Sequence, residues 1–523
     1  MRLEPLLMGA SAAIALDRLT AVQAIDRVQL AGAPPAKKAQ ARAHEATRRT
    51  RQRTIEPDWG SGNRIVGMDA KQLRDSARAM CRDYDVARAA INLLVQNIVG
   101  SGIDVSPAPR RNGGEVDPAL RQRLRDLWWA WWDRPEVTGL HSFGKCQQLM
   151  CASWLRDGDA FYQRIMGPVP SLQHGTAVPY SIEMIEGDLV PLDYTDAAKG
   201  ILQGVERNEW GRVRAYHVYL YHPGDMDAWH VQTKRVSADQ MRIVANIDRI
   251  HQVRGLSVFA PVMNRFRDVQ DYEASERIAH KVAASMCAQI VKGDAQSYSS
   301  GDPTDAMGSA LDRVMRGIMM IPGLIADDLL PGERIEAIDT KRPNANVGGY
   351  VIDQLRRGAG ALQVGGSSLT GAYTGSYSAQ RQELVERFGG YVMLGEQYID
   401  LFVRPVWEGF VEACWLSGQI SLPKGWTLAD LSACAFVRPS MPWIDPLKEV
   451  MARELMVDRG WLAPQQAILQ GGNDPEEVAR LRSDWEREHG PIASADQNAD
   501  AAHEPEARQR RHMAMAAALS GEP

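Results

Sequence analysis

The sequence predicts an α+β fold built from several parts. Three stretches with apolar residues at helical spacing, at 69–99, 117–133 and 143–157, precede a block of short segments that alternate like strands. Beyond that block, residues 261–292 predict one long helix and residues 379–415 a second. The long loop region between these two helices is the main architectural clue.

Composition and charge define the class of protein. The 523 residues are 45% hydrophobic and 24% charged, which is ordinary globular usage. At roughly 100 to 200 residues per domain, this length predicts about two to four domains or one large elaborated one. Lys and Arg number 60 against 65 Asp and Glu, for a net charge of −5. Because non-specific coating of nucleic acid needs many basic contacts to phosphate, this balance argues against such a protein and predicts only local DNA contact.

The cysteines and the apolar runs predict a cytoplasmic chain without a membrane span. Six cysteines are scattered along the sequence with no CxxC pair, so neither a disulfide framework nor a zinc site is indicated. The early apolar run at 6–16 is too short to cross a bilayer. It continues into Asp17 and Arg18 without a cleavage signal, which argues against secretion.

The first 64 residues predict an amphipathic helix followed by a basic arm. Apolar residues recur at loosely helical spacing over 14–30, and a Pro-opened basic stretch covers 33–54. A basic run is more often a solvated segment than a DNA contact, so DNA binding by this arm is a hypothesis. The candidate residues are Lys37, Lys38, Arg42, Arg48, Arg49, Arg51 and Arg53.

A tryptophan-rich helix is predicted at 117–133. Leu124, Trp128 and Trp131 fall on one apolar face, whereas Trp129 and Trp132 point away from it. The second face needs a cover, either another layer of the same chain or a second subunit, because large exposed aromatic patches usually mark interfaces. Trp129 and Trp132 are therefore candidate subunit-interface residues.

Strands and a long helix follow. After the 143–157 helix, which ends at Gly158, segments 160–165, 180–185, 204–209 and 213–221 predict strands, with a hairpin turn at 208–211. Residues 250–253 predict one more strand. Pro261 suits the first turn of a helix that then runs without Gly or Pro to about residue 292, a length of roughly 45 Å.

The second half alternates flexible and helical segments. Residues 294–345 are rich in Gly, Pro and Asp, and a helix is predicted near 347–357. The run at 365–378 is too rich in Gly and Ser for a packed element. The 379–415 helix is expected to break locally at Gly389-Gly390 and at Pro405, residues 446–489 are helical again, and 491–523 predict a mobile tail.

A search for catalytic motifs indicates no enzyme. Gly366 and Gly371 have the glycine spacing of a phosphate-binding loop, but Ala372 and Tyr373 stand where Lys and Ser or Thr are required. No GxSxG, HExxH or EF-hand pattern occurs. Two carboxylate pairs, Glu186 with Asp188 and Asp327 with Asp328, could in principle hold a metal but are better explained as turn formers. We therefore expect no catalytic, cofactor-binding or metal residue, and no cofactor.

Ordered segments over residues 65–490 resemble the lambda-type family of tailed-bacteriophage portal proteins. None of these segments is catalytic, and their order along the chain makes the resemblance specific. They include RDYDVARAAINLLVQNIVGSGI at 82–103, SFGKCQQLMCASWLRDGDAF at 142–161, GVERNEWGRVRAYHVY at 204–219, LLPGERIEAI at 329–338, YSAQRQELVERF at 377–388, and PWIDPLKEVMARELMVDRGWLAPQQAILQGGNDPEEV at 442–478.

The resemblance implies a structural protein of the virion. Portal proteins form a ring of about twelve subunits at one capsid vertex. Double-stranded DNA passes through the central channel during packaging and ejection. The implied partners are the ring itself, the terminase large subunit, the major capsid protein or a scaffold, and a head-tail adaptor. The implied location is the portal vertex, with assembly in the host cytoplasm, no membrane and no catalytic activity.

By order along the chain, the family's parts are expected in eight segments. These are an N-terminal helix and arm at 1–64, an α+β wing at 65–255, a first stem helix at 256–293, a clip at 294–345, a second stem helix and tunnel loop at 346–378, a long helix returning to the wing at 379–441, a helical crown at 442–490 and a tail at 491–523. The candidate DNA-channel residues lie in the tunnel loop and are Ser367, Ser368, Thr370, Tyr373, Thr374 and Tyr377.

Two other functions compete with a portal ring. One is a metal-dependent DNA-processing enzyme of a packaging system, and the other is a capsid-associated scaffold or adaptor that never encloses DNA. The mild negative charge argues against gripping DNA and permits conducting it, because a strongly basic bore would bind passing phosphates many times over. Shortening the 365–375 run is expected to impair packaging or DNA retention while rings still form.

Overall fold

Helices and short antiparallel sheets alternate along the chain, which confirms the α+β prediction. The computed structural model describes residues 60–111, 114–170, 172–225, 232–285, 289–291, 334–336, 346–441 and 446–490. The basic arm, nearly all of the predicted clip and the 491–523 tail lie outside the described residues. The compact unit that contains the described elements begins at Ser61.

The predicted helices before the wing sheets are present, with one difference. The helix predicted over 69–99 is two helices, because the backbone of Tyr84 between them is extended. The helices predicted at 117–133 and 143–157 are confirmed. In order, these elements are α1 (Gly62–Asp83), α2 (Asp85–Ile98), α3 (Pro118–Trp132) and α4 (Phe143–Asp157).

Local signals explain where α3 and α4 begin and end. The side chain of Asp117 accepts two backbone N–H groups at the start of α3, and that of Ser142 accepts one at the start of α4. Gly158 ends α4 with a positive φ of 93°, and a Cβ there would come within 2.6 Å of the Leu256 backbone. Only glycine combines this conformation with so close an approach.

Small antiparallel sheets lie mostly within residues 65–255, the segment predicted as the wing. Strand β2 lies between β3 and β8, β4 to β7 form a second sheet in sequence order, and β1 pairs with β11. The four strands predicted from 160 to 221 are confirmed as β2, β3, β5 and β6, whereas β1, β4, β7, β8 and β11 had no prediction. The strands are β1 (Asp104–Pro107), β2 (Asp159–Met166), β3 (Tyr180–Glu186), β4 (Ile201–Leu202), β5 (Val205–Arg207), β6 (Val213–Tyr219), β7 (Thr233–Ser237), β8 (Met241–Ala245), β9 (Gln289–Val291), β10 (Arg334–Glu336) and β11 (Cys434–Val437).

The strand predicted at 250–253 is wrong. His251 has a φ of +68°, which an extended strand does not allow, and Ile250 is 89% exposed. The backbone of residues 251–253 forms hydrogen bonds with a side chain and not with a neighbouring strand. Asn63 of α1 accepts the N–H of Val253 at 2.8 Å and donates to the His251 carbonyl at 2.9 Å.

The long helix predicted over 261–292 is shorter than expected. Helix α5 ends at Ser285, and β9 begins at Gln289 and pairs with β10. Because residues 289–291 use their backbone hydrogen bonds in that ladder, they cannot continue the helix. The remaining helices are α5 (Met263–Ser285), α6 (Val347–Ala361), α7 (Gly366–Thr370), α8 (Tyr377–Tyr398), α9 (Arg404–Leu416), α10 (Leu428–Leu431), α11 (Pro446–Asp458), α12 (Pro464–Gln470) and α13 (Pro475–His489).

The helix from 377 to 416 departs from α-geometry at one place. It continues through Gly389 and Gly390, where a break was expected, and becomes a π-helical turn at Ile399–Val403 just before α9. Pro405 lacks the N–H that would bond the carbonyl of Leu401. That carbonyl accepts the hydroxyl of Tyr162 on β2 at 3.3 Å, so the irregular turn joins the long helix to the wing.

Aromatic side chains fill the main core. Trp128 lies 4.9 Å from Trp131 and within about 5 Å of Trp407 and Phe410 of α9, with Phe143 of α4 at 5.4 Å, as ring-centroid distances. All five side chains are fully buried. The long helix therefore packs against α3 and α4 through this cluster, and aromatic burial of this kind contributes strongly to stability.

A cluster of buried charges joins α1, the wing and the segment that leads to α5. Asp159 is fully buried and accepts hydrogen bonds from Arg74 at 2.8 Å and from Arg254 at 2.6 Å. Arg254, itself fully buried, also donates to the carbonyls of Gly187 and Val190, both at 2.9 Å. The guanidinium of Arg254 thus donates to one carboxylate and to these two backbone carbonyls. A charged side chain is tolerated in the core only when it is paired and hydrogen-bonded in this way.

The helices predicted as the crown are present at α11, α12 and α13. Their attachment to α3 runs through Arg125, which forms an ion pair with Asp474 at the start of α13; both side chains are buried. Ser106 of β1 donates to the same carboxylate at 3.0 Å. Burial raises the pKa of the neighbouring Asp104 to about 6, although a hydrogen bond from Val105 and the charge of Arg125 act to lower it.

We predict that Asp159→Asn strongly destabilises the protein. The substitution leaves two buried guanidinium groups without their shared carboxylate, which is expected to cost about 3–5 kcal/mol in the free energy of unfolding. Urea denaturation followed by circular dichroism measures this. Asp353→Asn, which removes the exposed ion pair between Asp353 and Arg357, serves as the control and should leave the midpoint nearly unchanged. A loss below about 1 kcal/mol for Asp159→Asn would contradict the role of the cluster.

We predict that Asp104→Asn removes a pH dependence of stability. The folded-state pKa of about 6 lies above the unfolded value of about 3.9, so the folded state binds the proton more tightly. The stability contributed by this group is fully present below the unfolded pKa and is lost as the pH rises through about 6. Thermal unfolding between pH 5 and 8 should therefore show a variant that gains stability over wild type as pH rises; equal curves would contradict the prediction.

Candidate functional site

The two predicted stem helices form an antiparallel pair. Phe266 near the start of α5 lies against Gly358 near the end of α6, while Tyr272 and Tyr350 meet one to two turns further along, with ring centroids 5.2 Å apart. A Cβ on Gly358 would approach the Phe266 ring to 2.5 Å, so this contact requires glycine. The segment between the helices, 286–345, consequently leaves and re-enters at the same end of the pair.

The other end of the pair is joined to the wing. Phe266 contacts Phe259 and Tyr84 in edge or tilted geometry, with centroids 6.3 Å and 6.2 Å away. Beyond α6, Leu362, Val364 and Leu369 are buried in the main core. The residues predicted as the tunnel loop therefore start at the end of the α5–α6 pair that packs against the main core.

The predicted flexible loop is only partly irregular. Residues 366–370 form α7, with Gly366 and Leu369 buried, so the expectation of an unpacked run over 365–378 is wrong for this half. The buried side chain of Leu369 anchors α7 in the main core, although its neighbours are mostly Gly and Ser. The rest, residues 371–376, is largely exposed and begins at Gly371, which has a φ of +66°. We call residues 371–376 the exposed loop.

Five of the six predicted channel residues divide between these two halves, and the sixth, Tyr377, is the first residue of α8. Ser367 and Thr370 are half-buried, and the Thr370 hydroxyl donates to the carbonyl of Gly366 at 2.8 Å. Ser368 and Thr374 are exposed. Tyr373 and Tyr377 are 62% and 60% exposed and are the large side chains that this region presents to solvent.

A carboxylate on α8 holds the buried half in place. Glu383 Oε1 accepts the N–H of Gly366 at 2.6 Å and that of Ser367 at 3.3 Å. Burial acts to raise the pKa of Glu383, but the hydrogen bonds from Ser367 and Gly366 and the charge of Arg387 outweigh it, and the net pKa is lowered. Sequence analysis missed Glu383, because no local pattern relates a carboxylate to backbone amides 17 residues earlier.

A cavity of about 260 Å³ lies between the exposed loop and α8. Tyr373 lines it from the loop side, and Tyr377, Arg381, Glu383 and Tyr391 line it from α8. The cavity gives the exposed loop room to move toward α8, since the space between them is not filled by side chains.

The two candidate interface tryptophans have different environments. Trp129 is 46% exposed. Trp132 is half-buried and contacts Phe143 and Trp128, with ring centroids at 5.2 Å and 6.0 Å. The two indoles lie 5.7 Å apart. Part of the second tryptophan face is thus covered by the chain itself, and Trp129 carries its exposed part.

The remaining sequence candidates contribute little. The seven basic arm residues, from Lys37 to Arg53, and the pair Asp327 and Asp328 lie outside the described residues. Glu186 and Asp188 approach His222 closely enough to suggest a metal site. Asp188, however, forms ion pairs with Arg74 at 3.0 Å and Arg78 at 2.6 Å, so its charge is already neutralised.

No helix among the described residues has the length and apolar character needed to cross a lipid bilayer.

Comparison with known proteins identifies the family. The model "Phage portal protein, lambda family" matches residues 48–394, which is more than half of the chain. A "Probable portal protein" of Halomonas phage phiHAP-1 is 25% identical over 434 residues, a span that covers 80% of each chain.

Two solved structures show limited similarity to this chain. The neck of a native gene transfer agent particle, computed with C12 symmetry, is 13% identical, with a TM-score of 0.40, over 79% of this chain and 99% of the other. An HK97-family phage portal protein from Corynebacterium diphtheriae is 11% identical, with a TM-score of 0.29, over 60% and 84%. On the extent of the family match, this chain belongs to the lambda family of phage portal proteins.

Proposed function

We propose that this chain assembles into a ring at one vertex of a phage capsid and forms the channel through which double-stranded DNA is packaged and later ejected. Family membership supports this role, and the antiparallel α5–α6 pair is the observation that carries it. A stiff pair, in which α5 is about 34 Å and α6 about 22 Å long and an exposed loop follows the end of α6, is suited to the wall of a conduit.

The same proposal covers the partners. A ring of about twelve copies would contact the terminase large subunit during packaging, the major capsid protein or a scaffold around its rim, and a head-tail adaptor after filling. These partners are what the family implies for the chain. In this proposal the virion vertex is the final location, and assembly takes place in the host cytoplasm.

We further propose that the ring conducts DNA without chemistry of its own. Metal-dependent phosphodiester cleavage needs several free carboxylates that converge on an ion. Among the described residues, the group that best approaches this is Glu186, Asp188 and His222, and two arginines neutralise Asp188. Electron microscopy of the purified protein tests the whole proposal: annular particles with an open centre support it, and a monomer that cleaves DNA with magnesium overturns it.

The exposed loop is the proposed DNA-facing element. Residues 365–378 carry no charged side chain, so Tyr373 and Tyr377 can meet the duplex through rings and hydroxyl groups. Fixed cations at this place would release counterions on each phosphate contact and hold the DNA. A neutral surface lets the DNA slide.

We predict that replacing residues 372–375 with two glycines impairs DNA packaging or retention while rings still form. The change shortens the exposed loop and removes Tyr373, but leaves α7 and its buried Leu369 intact. Complementation of a phage that lacks its portal gene, scored by plaque yield, measures the effect, and electron microscopy checks the rings. Normal yield with intact rings would contradict the proposed DNA contact.

We predict opposite behaviour for the two interface tryptophans. Trp129→Ala should leave monomer stability close to wild type and weaken ring formation, because this exposed indole is proposed to lie against a neighbouring subunit. Trp132→Ala should cost about 3 kcal/mol of folding stability, because it removes contacts with Phe143 and Trp128. Denaturation curves and sedimentation velocity distinguish the two effects; rings of Trp129→Ala with unchanged stability would contradict the interface.

A further inference from the structure

The exposed loop is tied to α8 at both of its ends. At its C-terminal end, Ser376 accepts the N–H of Ala379 at 3.4 Å and so caps α8. At its N-terminal end, the residues of α7 that lead into Gly371 are bonded to Glu383, which also belongs to α8. One helix therefore fixes the two points between which the loop extends.

Glu383 is the polar contact that holds the N-terminal one of these two points. Helix α7 has only five residues, too few for a helix to be stable by its own hydrogen bonds. The N–H groups at its start have no intrahelical acceptor, and Glu383 accepts two of them. Burial of Leu369 holds the far side of the same turn. Without the carboxylate, these two N–H groups lose their acceptor, and the turn keeps only the burial of Leu369 and the hydrogen bond from Thr370 to the Gly366 carbonyl.

The cavity behind the loop is better explained as room for motion than as a ligand site. Arg381 and Arg387 line it, but so does the Glu383 carboxylate, whose charge opposes binding of an anion. Tyr373 and Tyr377, the residues proposed to face DNA, both line it. Pressure on Tyr373 would push the exposed loop into this space.

We propose that Glu383 is a positioning residue for DNA passage: it fixes the start of α7 to α8, so that Tyr373 stands at a set distance from α8 while the backbone of the exposed loop yields to the duplex. Tyr377, the first residue of α8, is held by that helix itself. This inference rests on the proposed channel function. Loss of Glu383 would let α7 unwind, lengthen the free segment and remove the defined position of Tyr373.

The test compares Glu383→Ala and Glu383→Gln with Glu386→Ala. Glu386 is an exposed carboxylate on the same helix, so its removal controls for the change in charge. Hydrogen exchange measured on peptides that cover 362–371 reports the amides of Gly366 and Ser367. We expect exchange at least about tenfold faster in Glu383→Ala, an intermediate rate in Glu383→Gln, whose amide oxygen still accepts, and the wild-type rate in Glu386→Ala.

The functional arm uses plaque yield and retained DNA in portal-deleted phage. We expect a reduction of about tenfold or more for Glu383→Ala, partial rescue by Glu383→Gln, and wild-type yield for Glu386→Ala, with rings formed by all three. If Glu383→Ala does not assemble into rings, Glu383→Gln alone tests the proposal. It should then show a smaller increase in the exchange rate together with a smaller loss of plaque yield.

The outcomes separate this inference from the proposed function. Faster exchange with normal yield, or unchanged exchange, overturns the positioning role of Glu383 while the channel proposal stands. If the variant with residues 372–375 shortened also gives normal yield, the DNA contact of the exposed loop is overturned as well. Impaired yield on shortening the loop, together with the graded effect at Glu383, supports both.

Discussion

The buried carboxylate of Asp159 is the contact on which the placement of wing and stem depends. It accepts hydrogen bonds from Arg74 of α1, from Arg254, and from the backbone N–H of Gly255 at 3.2 Å. Two buried arginines without this partner would cost several kcal/mol, so the chain just before α5 is held against the wing. Helix α5 begins shortly after Gly255, and its direction therefore follows from this cluster.

Close packing then fixes the elements that follow α5. Phe266 fills the space that Gly358 leaves, and this contact aligns α6 against α5. Leu362 and Leu369 then fix the chain beyond α6 in the main core. In a conduit, such an arrangement keeps the wall stiff and confines compliance to the few exposed residues at 371–376. The absence of charge over 365–378 complements the net charge of −5, because neither property favours tight binding of phosphates.

Much of the secondary structure follows from local signals. Helices α3 and α4 carry their caps beside them, at Asp117 and Ser142, and α4 ends at Gly158. Errors arose where a distant partner competes with local propensity. Asn63 takes the backbone bonds of 251–253, the β9–β10 ladder ends α5 early, and the core sequesters Leu369 in a run of Gly and Ser. Each of these contacts joins segments far apart in sequence, which periodicity cannot detect.

The sequence by itself determined the α+β class, most helices, the tryptophan cluster and the order of segments that resembles portal proteins, since all of these depend on patterns within a few turns or on motif order. Only the tertiary structure decided that Trp132 is partly covered while Trp129 is exposed. It also revealed that Glu383 accepts the backbone N–H groups of Gly366 and Ser367 and that Asp159 and Arg254 form a buried ion pair ahead of α5. The physical reason is that a buried ion pair or a carboxylate on a backbone amide is defined by where two distant segments meet, and no spacing along one segment records that meeting.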